Sequence, residues 1–496
     1  MKQLTGLDAT FLYMETGTTF GHVNGLSVFR RPDDPDWSPY EAFRRQLERR
    51  IPLLEPLRRR VVEVPFQLDH PYWIEDPDFD LDYHLRSNAL PAPGDDRALA
   101  ALVGRIIGRP LDRAHPLWET HVIEGLEGDR FAVLTKIHHA TVDGASGAEL
   151  MTILFDPAPD TPDEGIPDDD RRPEPVPSPA TVLGRALVDM AGKPRKLVRL
   201  QLRSLRALGE LTRNRGLTGL VDLASSVPNP LLRRPASEEE PDTATPPRTG
   251  RAPATPFNRS ITPHRRLELR NASLDDVKAI KNALGATVND VIMAVCAGGL
   301  RRYLQAHDAL PADPLVAMIP VSIRTGEEEE RWTNRVSAIF SSIPTDVDDP
   351  VARVWKVHHA MEAAKDRFLL MPADVMTDYT QFSPPALATR AMRLATRLKI
   401  GDRLNPPFNL VISNVPGPRS PLYLAGAELE HYYPVSTIGE GQGLNITVQS
   451  YLDRLDFAFV GCRELLPDLD LLADLVLDEL AGLLATAQAG VAAADA

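Results

Sequence analysis

Residues 119–155 read ETHVIEGLEGDRFAVLTKIHHATVDGASGAELMTILF. Two apolar runs flank EGLEGD, which predicts strand, turn, strand. The second run ends in Lys136-Ile137-His138-His139, so both histidines fall at the C-terminal end of a strand. A loop follows, and GASGAELMTILF has helical spacing. A strand end that leads through a loop into a helix is a common place to present reactive groups, because the rigid element positions them. The stretch predicts an α/β unit.

Adjacent histidines on a strand point to opposite faces, which makes a shared metal unfavourable. No HxxxH or CxxC partner lies nearby, and no metal is expected. Imidazole titrates near neutrality and takes a proton from an alcohol or thiol within hydrogen-bond reach. A base alone suffices when a second substrate supplies the nucleophile, and the sequence has no GxSxG elbow. Asp143 can lock the loop through a buried ion pair, leaving His139 aimed at the cleft, and Gly144 permits an unusual backbone angle beside it. A second pair, His358-His359 in KVHHAMEAAK, lacks the Asp-Gly and sits in a helical pattern. That pair reads as structural; the spacing to Asp-Gly carries the signal.

The chain has 496 residues, 43% hydrophobic and 25% charged, enough for two or three ordinary globular domains. A formal net charge of −14 argues against nonspecific nucleic-acid binding. Cys296 and Cys462 are the only cysteines and form no disulfide framework, as expected of a reducing cytoplasm. The start, MKQLTGLDATFLYMETG, carries Asp8 and Glu15 and lacks the apolar run of a signal peptide. No run approaches the ~18 apolar residues of a spanning helix, so any membrane contact is expected at the surface.

Three segments follow from composition. Residues 1–156 form the first α/β unit, with EAFRRQLERRIPLLEPL and DRALAALVGRIIGRPL as helices. Residues 157–256 open and close on proline-rich linkers. Between the linkers, residues 181–235 hold eleven basic and three acidic residues. On a helical wheel Lys196, Arg199, Arg203 and Arg206 fall within about 80°, opposite a leucine-rich face. Such a helix suits an anionic lipid surface, or packs its leucines on a domain and leaves its arginines in water. Residues 257–496 form a second α/β unit. SLDDVKAIKNALG predicts a helix capped by Ser273 and ended by Gly285, and TVNDVIMAVCAGGLRRYLQAH predicts another. LVAMIPVSI, RVSAIFSSIPT, FNLVISNVP and LNITVQSYLDRLDFAFVGC are strand candidates, and LDLLADLVLDELAGLLATA a long amphipathic helix.

HHxxxDG, here His138-His139 through Asp143-Gly144, resembles the signature of the acyltransferase superfamily that includes chloramphenicol acetyltransferase. Within it, the chain is similar to the bacterial wax ester synthase/diacylglycerol acyltransferases. LTGLDATFLYMET, RPLDRAHPLWE, TVNDVIMAV, MIPVSIR, NLVISNVPGPRSPLYLAGA and GLNITVQSYLDRLDF carry the likeness in this order. One departure is Thr333-Asn334, where the family often has Gly-Asn.

The resemblance implies an α/β (α+β) fold of two chloramphenicol acetyltransferase-like domains, with a tunnel and active site at their interface. It implies acyl transfer from acyl-CoA to diacylglycerol or a fatty alcohol without a further cofactor. His139 is then the general base, and His138, Asp143 and Gly144 hold its geometry. Asn289 is the candidate oxyanion donor, with helix capping as its alternative, and Asp290 supports the helix. Pro116, Leu117 and Trp118 would pack near the tunnel, Trp118 equally as plain core. The expected location is cytoplasmic and peripheral, on the membrane or lipid droplets, with Lys196, Arg199, Arg203 and Arg206 as contacts. Two other readings stand beside this one: a condensation-type or polyketide-associated acyltransferase fed by a carrier protein, and a non-catalytic lipid-surface scaffold.

Overall fold

The hairpin expected around EGLEGD forms: β6 (Trp118–Leu126) pairs antiparallel with β7 (Arg130–His138). The computed structural model describes residues 1–142, 150–162, 175–189, 252–322, 336–369, 385–403 and 405–494. Asp143, Gly144, Thr333, Asn334, Lys196, Arg199, Arg203 and Arg206 lie outside the described residues. Strand β7 alternates as a two-sided buried strand must. Phe131, Val133 and Ile137 join an outer core with Phe43 of α2 (Pro39–Arg50). Ala132 and Leu134 face the other way, onto Leu99, Val103 and Ile107 of α4 (Asp96–Ile107). β2 (His22–Arg30) pairs with the free edge of β7, opposing His22 to His138. β5 (Leu85–Ala89), fed by the single turn α3 (Leu81–His84), pairs parallel with β6.

The second sheet is built from β8 (Arg265–Ser273), β9 (Leu315–Ser322), β10 (Val336–Ile343), β11 (Leu410–Val415), β14 (Leu444–Tyr451) and β15 (Arg454–Cys462), ordered β10-β9-β11-β14-β15-β8. One face buries Leu455, Phe457 and Phe459 against two helices, α6 (Val288–Ala306) and α9 (Leu469–Ala494). α5 (Leu274–Leu284) begins and ends as its sequence predicts. Ser273 caps its start, and Gly285 leaves it in the left-handed region at φ 69°. The other face sends Ala458, Val460 and Cys462 into the same core as α4 and β2. The two sheets therefore meet across one shared apolar layer.

The expected boundary at 257 does not separate two self-contained units. Two strands from the C-terminal segment, β12 (Tyr423–Leu424) and β13 (Ala427–Val435), complete the first sheet, whose order is β12-β13-β2-β7-β6-β5. β13 pairs antiparallel with β2, and Asn24 donates its side-chain N–H to Val435 O at 2.9 Å. Gly25 makes room for this pairing, since a Cβ there would lie 2.2 Å from the Tyr432 hydroxyl.

A third, small sheet orders β1 (Lys2–Gln3), β4 (Tyr72–Glu75) and β3 (Arg59–Val62) as β1-β4-β3. It supports α1 (Gly6–Tyr13), whose Leu12 and Tyr13 are buried with Leu117 and Ala140. Among the described residues no single helix is long and apolar enough to cross a membrane. α5 and α6 qualify only as a pair bent by 101°, and α6 is largely core.

Candidate active site

β7 ends at His138, and the next peptide turns. His138 N–H donates to Leu117 O at 2.9 Å, and His139 N–H donates to Gly21 O at 2.7 Å. The two imidazoles then part, as alternation requires. His138 is buried, and its Nδ1 accepts the Ala140 N–H at 3.0 Å. That fixes the tautomer: the proton sits on Nε2, which approaches Glu15 Oε1 obliquely at 3.2 Å. His139 is only partly buried, and its ring stacks on Phe11 with centroids 4.0 Å apart and planes 9° apart. His138 is thus committed to the scaffold, and His139 is the histidine with a partly exposed ring.

Glu15 is the residue the sequence reading passed over. Its Oε1 accepts the Gly21 N–H at 2.9 Å, and its Oε2 takes Arg113 at 2.8 Å. Arg113 also donates to Leu12 O at 2.7 Å and to Glu63 at 2.9 Å. Burial alone would raise the Glu15 carboxyl; the His138 imidazole, the Arg113 guanidinium and the Gly21 N–H outweigh burial and hold it at about 2. One carboxylate therefore braces both His138 and Gly21, the residue whose carbonyl grips His139. Gly21 has no room for a side chain, because a Cβ would fall 2.5 Å from His138 Nε2 and 3.0 Å from Phe11 O. The signal was present in LTGLDATFLYMET and RPLDRAHPLWE, which contain Glu15 and Arg113, but no local spacing joins them.

The C-terminal segment secures the same loop. Thr437 Oγ1 donates to Phe20 O at 2.7 Å. Arg265, buried in β8, donates to Thr18 O and lies over the Phe20 ring at 5.3 Å. Burial pulls this guanidinium down to about 10. Below the loop, Lys136 Nζ donates to Arg109 O at 2.7 Å and meets Glu119 at 2.8 Å, and His22 Nε2 meets Ile107 O at 2.9 Å. Both groups face the C-terminal end of α4, where partial negative charge collects. Burial first, then Lys136, drives His22 down to about 3, so it is neutral and donates to the carbonyl.

The remaining expected residues separate. Trp118 is buried in the outer core, stacked on His84 at 4.3 Å, and its indole N–H donates to Leu57 O at 2.6 Å. Its surroundings are those of a core residue. Pro116 and Leu117 are buried beside it. At the start of α6, Thr287 and Asp290 form a capping box. Thr287, not Asn289, is the cap, which removes the capping alternative for Asn289 and leaves its side chain partly exposed. Asp290 also meets His358 Nδ1 at 2.8 Å, which gives the second histidine pair its structural role. Among the described residues no group of three or more His, Cys, Asp or Glu is placed to hold a metal.

A histidine pair at a strand end, in a fold of two large sheets that share one apolar layer, defines an acyltransferase of the chloramphenicol acetyltransferase type. The chain belongs to the wax ester synthase/diacylglycerol acyltransferase family. It matches that family's catalytic domain over residues 4–292 and its C-terminal domain over residues 332–483. A Mycobacterium tuberculosis protein provisionally described as a diacylglycerol O-acyltransferase is 35% identical over 478 residues, 96% of this chain and 88% of that one. O-acyltransferase WSD of Acinetobacter baylyi is 34% identical, over 94% of this chain and 93% of its own. The wax ester synthase/diacylglycerol acyltransferase of Marinobacter aquaeolei superposes with a TM-score of 0.65 at 32% identity, covering 98% of this chain and 100% of that one. A condensation domain of the calcium-dependent antibiotic synthetase, 16% identical with a TM-score of 0.55 over 98% and 96%, shares the fold.

Proposed function

We propose that this chain transfers a long-chain acyl group from acyl-CoA to the hydroxyl of diacylglycerol, of a fatty alcohol, or of both. The observation that carries the reading is the placement of the histidine pair: His138 is buried between the Ala140 N–H and Glu15, and His139, at the strand end, is partly exposed with its ring stacked on Phe11. His139 takes the proton of the acceptor hydroxyl as its oxygen attacks the thioester carbonyl. The tetrahedral oxyanion collapses, CoA leaves as the thiol, and the imidazolium returns its proton to sulfur. The donor is already activated as a thioester, so the scheme needs no cofactor or metal. Asp143, outside the described residues, is the proposed support for His139. The enzyme works from the cytoplasmic side, peripherally on a membrane or lipid droplet, because its acceptors are insoluble in water.

Incubating the purified protein with labelled palmitoyl-CoA and, in turn, diacylglycerol, hexadecanol and a short alcohol tests the reading. Labelled ester from free acyl-CoA is the expected result. Turnover only with a carrier-protein-bound donor would assign the chain to condensation chemistry, and no turnover with either donor to a scaffold.

Asn289 is the proposed oxyanion donor. It sits second in α6, beside a cap that does not use it. Asn289→Ala is expected to lower kcat on the order of 10²-fold with the KM for acyl-CoA little changed, since such a donor acts in the transition state. Steady-state kinetics over acyl-CoA concentration check this. A raised KM with unchanged kcat would remove Asn289 from the chemistry.

A further inference from the structure

Phe66 stands out among the side chains of this protein. It is 83% exposed, and its backbone is left-handed at φ 58°, with Gln67 following at φ 54°. A bulky aromatic in that region is strained, and solvent offers its ring nothing in return. The turn that carries it, Pro65–Gln67, is flanked by two helices. One covers residues 179–189, whose Val182 and Ala186 pack on Val64 and Tyr72. The other is α8 (Pro385–Arg397), whose Thr389 and Arg393 share a cavity wall with Val64 and Gln67. Both helices also turn large apolar residues outward. Val188 is 73% exposed and Leu187 54% on the first; Leu394 is 55% exposed and Leu398 45% on and just past the second. Leu68, after the turn, is 43% exposed. Most of the large exposed apolar side chains of the described residues gather around this one turn.

Exposed basic side chains cluster around them, beside Glu63 and Asp69, which line the cavity next to the turn. Arg390, Arg393, Arg397 and Lys399 are all exposed on or just after α8, and Arg185 lies over the Tyr72 ring. The one carboxylate of the 179–189 helix, Asp189, is held by the Tyr72 hydroxyl at 2.6 Å. This basic, apolar face belongs to a chain of net charge −14. Apolar side chains interleaved with exposed arginines fit a lipid interface, where acyl chains take the first and phosphate headgroups the second. The cavity beside the turn is also lined by Leu12 and by Arg113, which pairs with Glu15.

We infer that the face formed by Phe66, Leu68, the end of the 179–189 helix and α8 docks on an anionic phospholipid surface. The basic stripe of Lys196 to Arg206 lies outside the described residues. The inference rests on the proposed function only for its water-insoluble substrates, and its test reads binding, not turnover. The probe is equimolar phosphatidylcholine and phosphatidylglycerol vesicles, with pure phosphatidylcholine as control, in co-sedimentation. Wild type is expected to sediment with the anionic vesicles. F66G/L394S/L398S is expected to partition about a hundredfold more weakly, because three apolar anchors are gone. Its melting temperature should hold, since glycine relieves the strained φ at 66. R390Q/R397Q should weaken binding about thirtyfold at low salt, and that difference should vanish near ~1 M salt. Equal sedimentation of wild type and the triple variant, or no binding by wild type, overturns the inference. So does a wild-type dimer in sedimentation velocity that the triple variant dissolves, which would give the face to a second copy of the chain.

Discussion

His139→Ala is expected to lower ester formation by about 10²–10⁴-fold while the protein melts close to wild type. The loss follows from the absence of a substitute base: the nearest imidazole, His138, has its Nδ1 occupied by the Ala140 N–H and its Nε2 directed at Glu15. The fold is expected to survive because the His139 N–H stays on Gly21 O, and loss of the stack on Phe11 costs about 0.5–1.5 kcal/mol. Activity above about a tenth of wild type, with diacylglycerol or hexadecanol as acceptor, would end the assignment. His359, exposed on α7 (Pro350–Leu369), supplies the control, and His359→Ala should do little. His358→Ala should register as instability at the start of α6, where it removes the partner of Asp290, and not as lost chemistry.

The histidine pair was legible because its information is local. A strand that alternates, a turn of Glu and Gly, and two imidazoles at the strand end lie within one stretch of chain, and so do the caps of α5. What stayed hidden depends on distant partners. β13 has an unremarkable strand composition, AELEHYYPV, and nothing in it says that its neighbour is β2, some 400 positions earlier. Asn289 and Thr287 are both good caps by composition, and only the observed geometry assigns the cap to Thr287. Trp118 in PLW could face a tunnel or a core until His84 and Leu57 are seen to enclose it. Glu15 is the sharpest case. An acid near the start of a chain reads as solvated, and its partners His138 and Arg113 lie 123 and 98 positions away. Pairing of that range follows from the packing of α1 against the end of β7, which no periodicity announces.

Glu15→Gln is expected to cost about 3–5 kcal/mol of stability and to lower kcat as well. The substitution keeps the shape and removes the charge, so Arg113 loses its buried carboxylate and keeps Leu12 O and Glu63, a more exposed acid. Glutamine can still accept the Gly21 N–H, but it cannot take Arg113 and face His138 with the same pair of charged oxygens. The loosened residue, Gly21, is the one whose carbonyl holds His139, so turnover should fall with little change in the KM for acyl-CoA. The pH dependence identifies the charge as the cause. The ordinary carboxyl value is 4.5, and Glu15 in the folded protein sits at about 2. A depressed carboxylate stabilises fully above the unfolded value and loses that contribution as pH falls through the folded one. The melting deficit of Glu15→Gln should therefore be full at neutral pH and shrink as pH falls from 4.5 toward 2. Glu15→Asp keeps the charge on a shorter arm and should recover part of both stability and kcat. Melting curves across pH, together with kcat and KM for the two variants, decide the matter. A Glu15→Gln protein that melts and turns over like wild type would leave the brace without a function, and a deficit independent of pH would assign it to shape instead of charge.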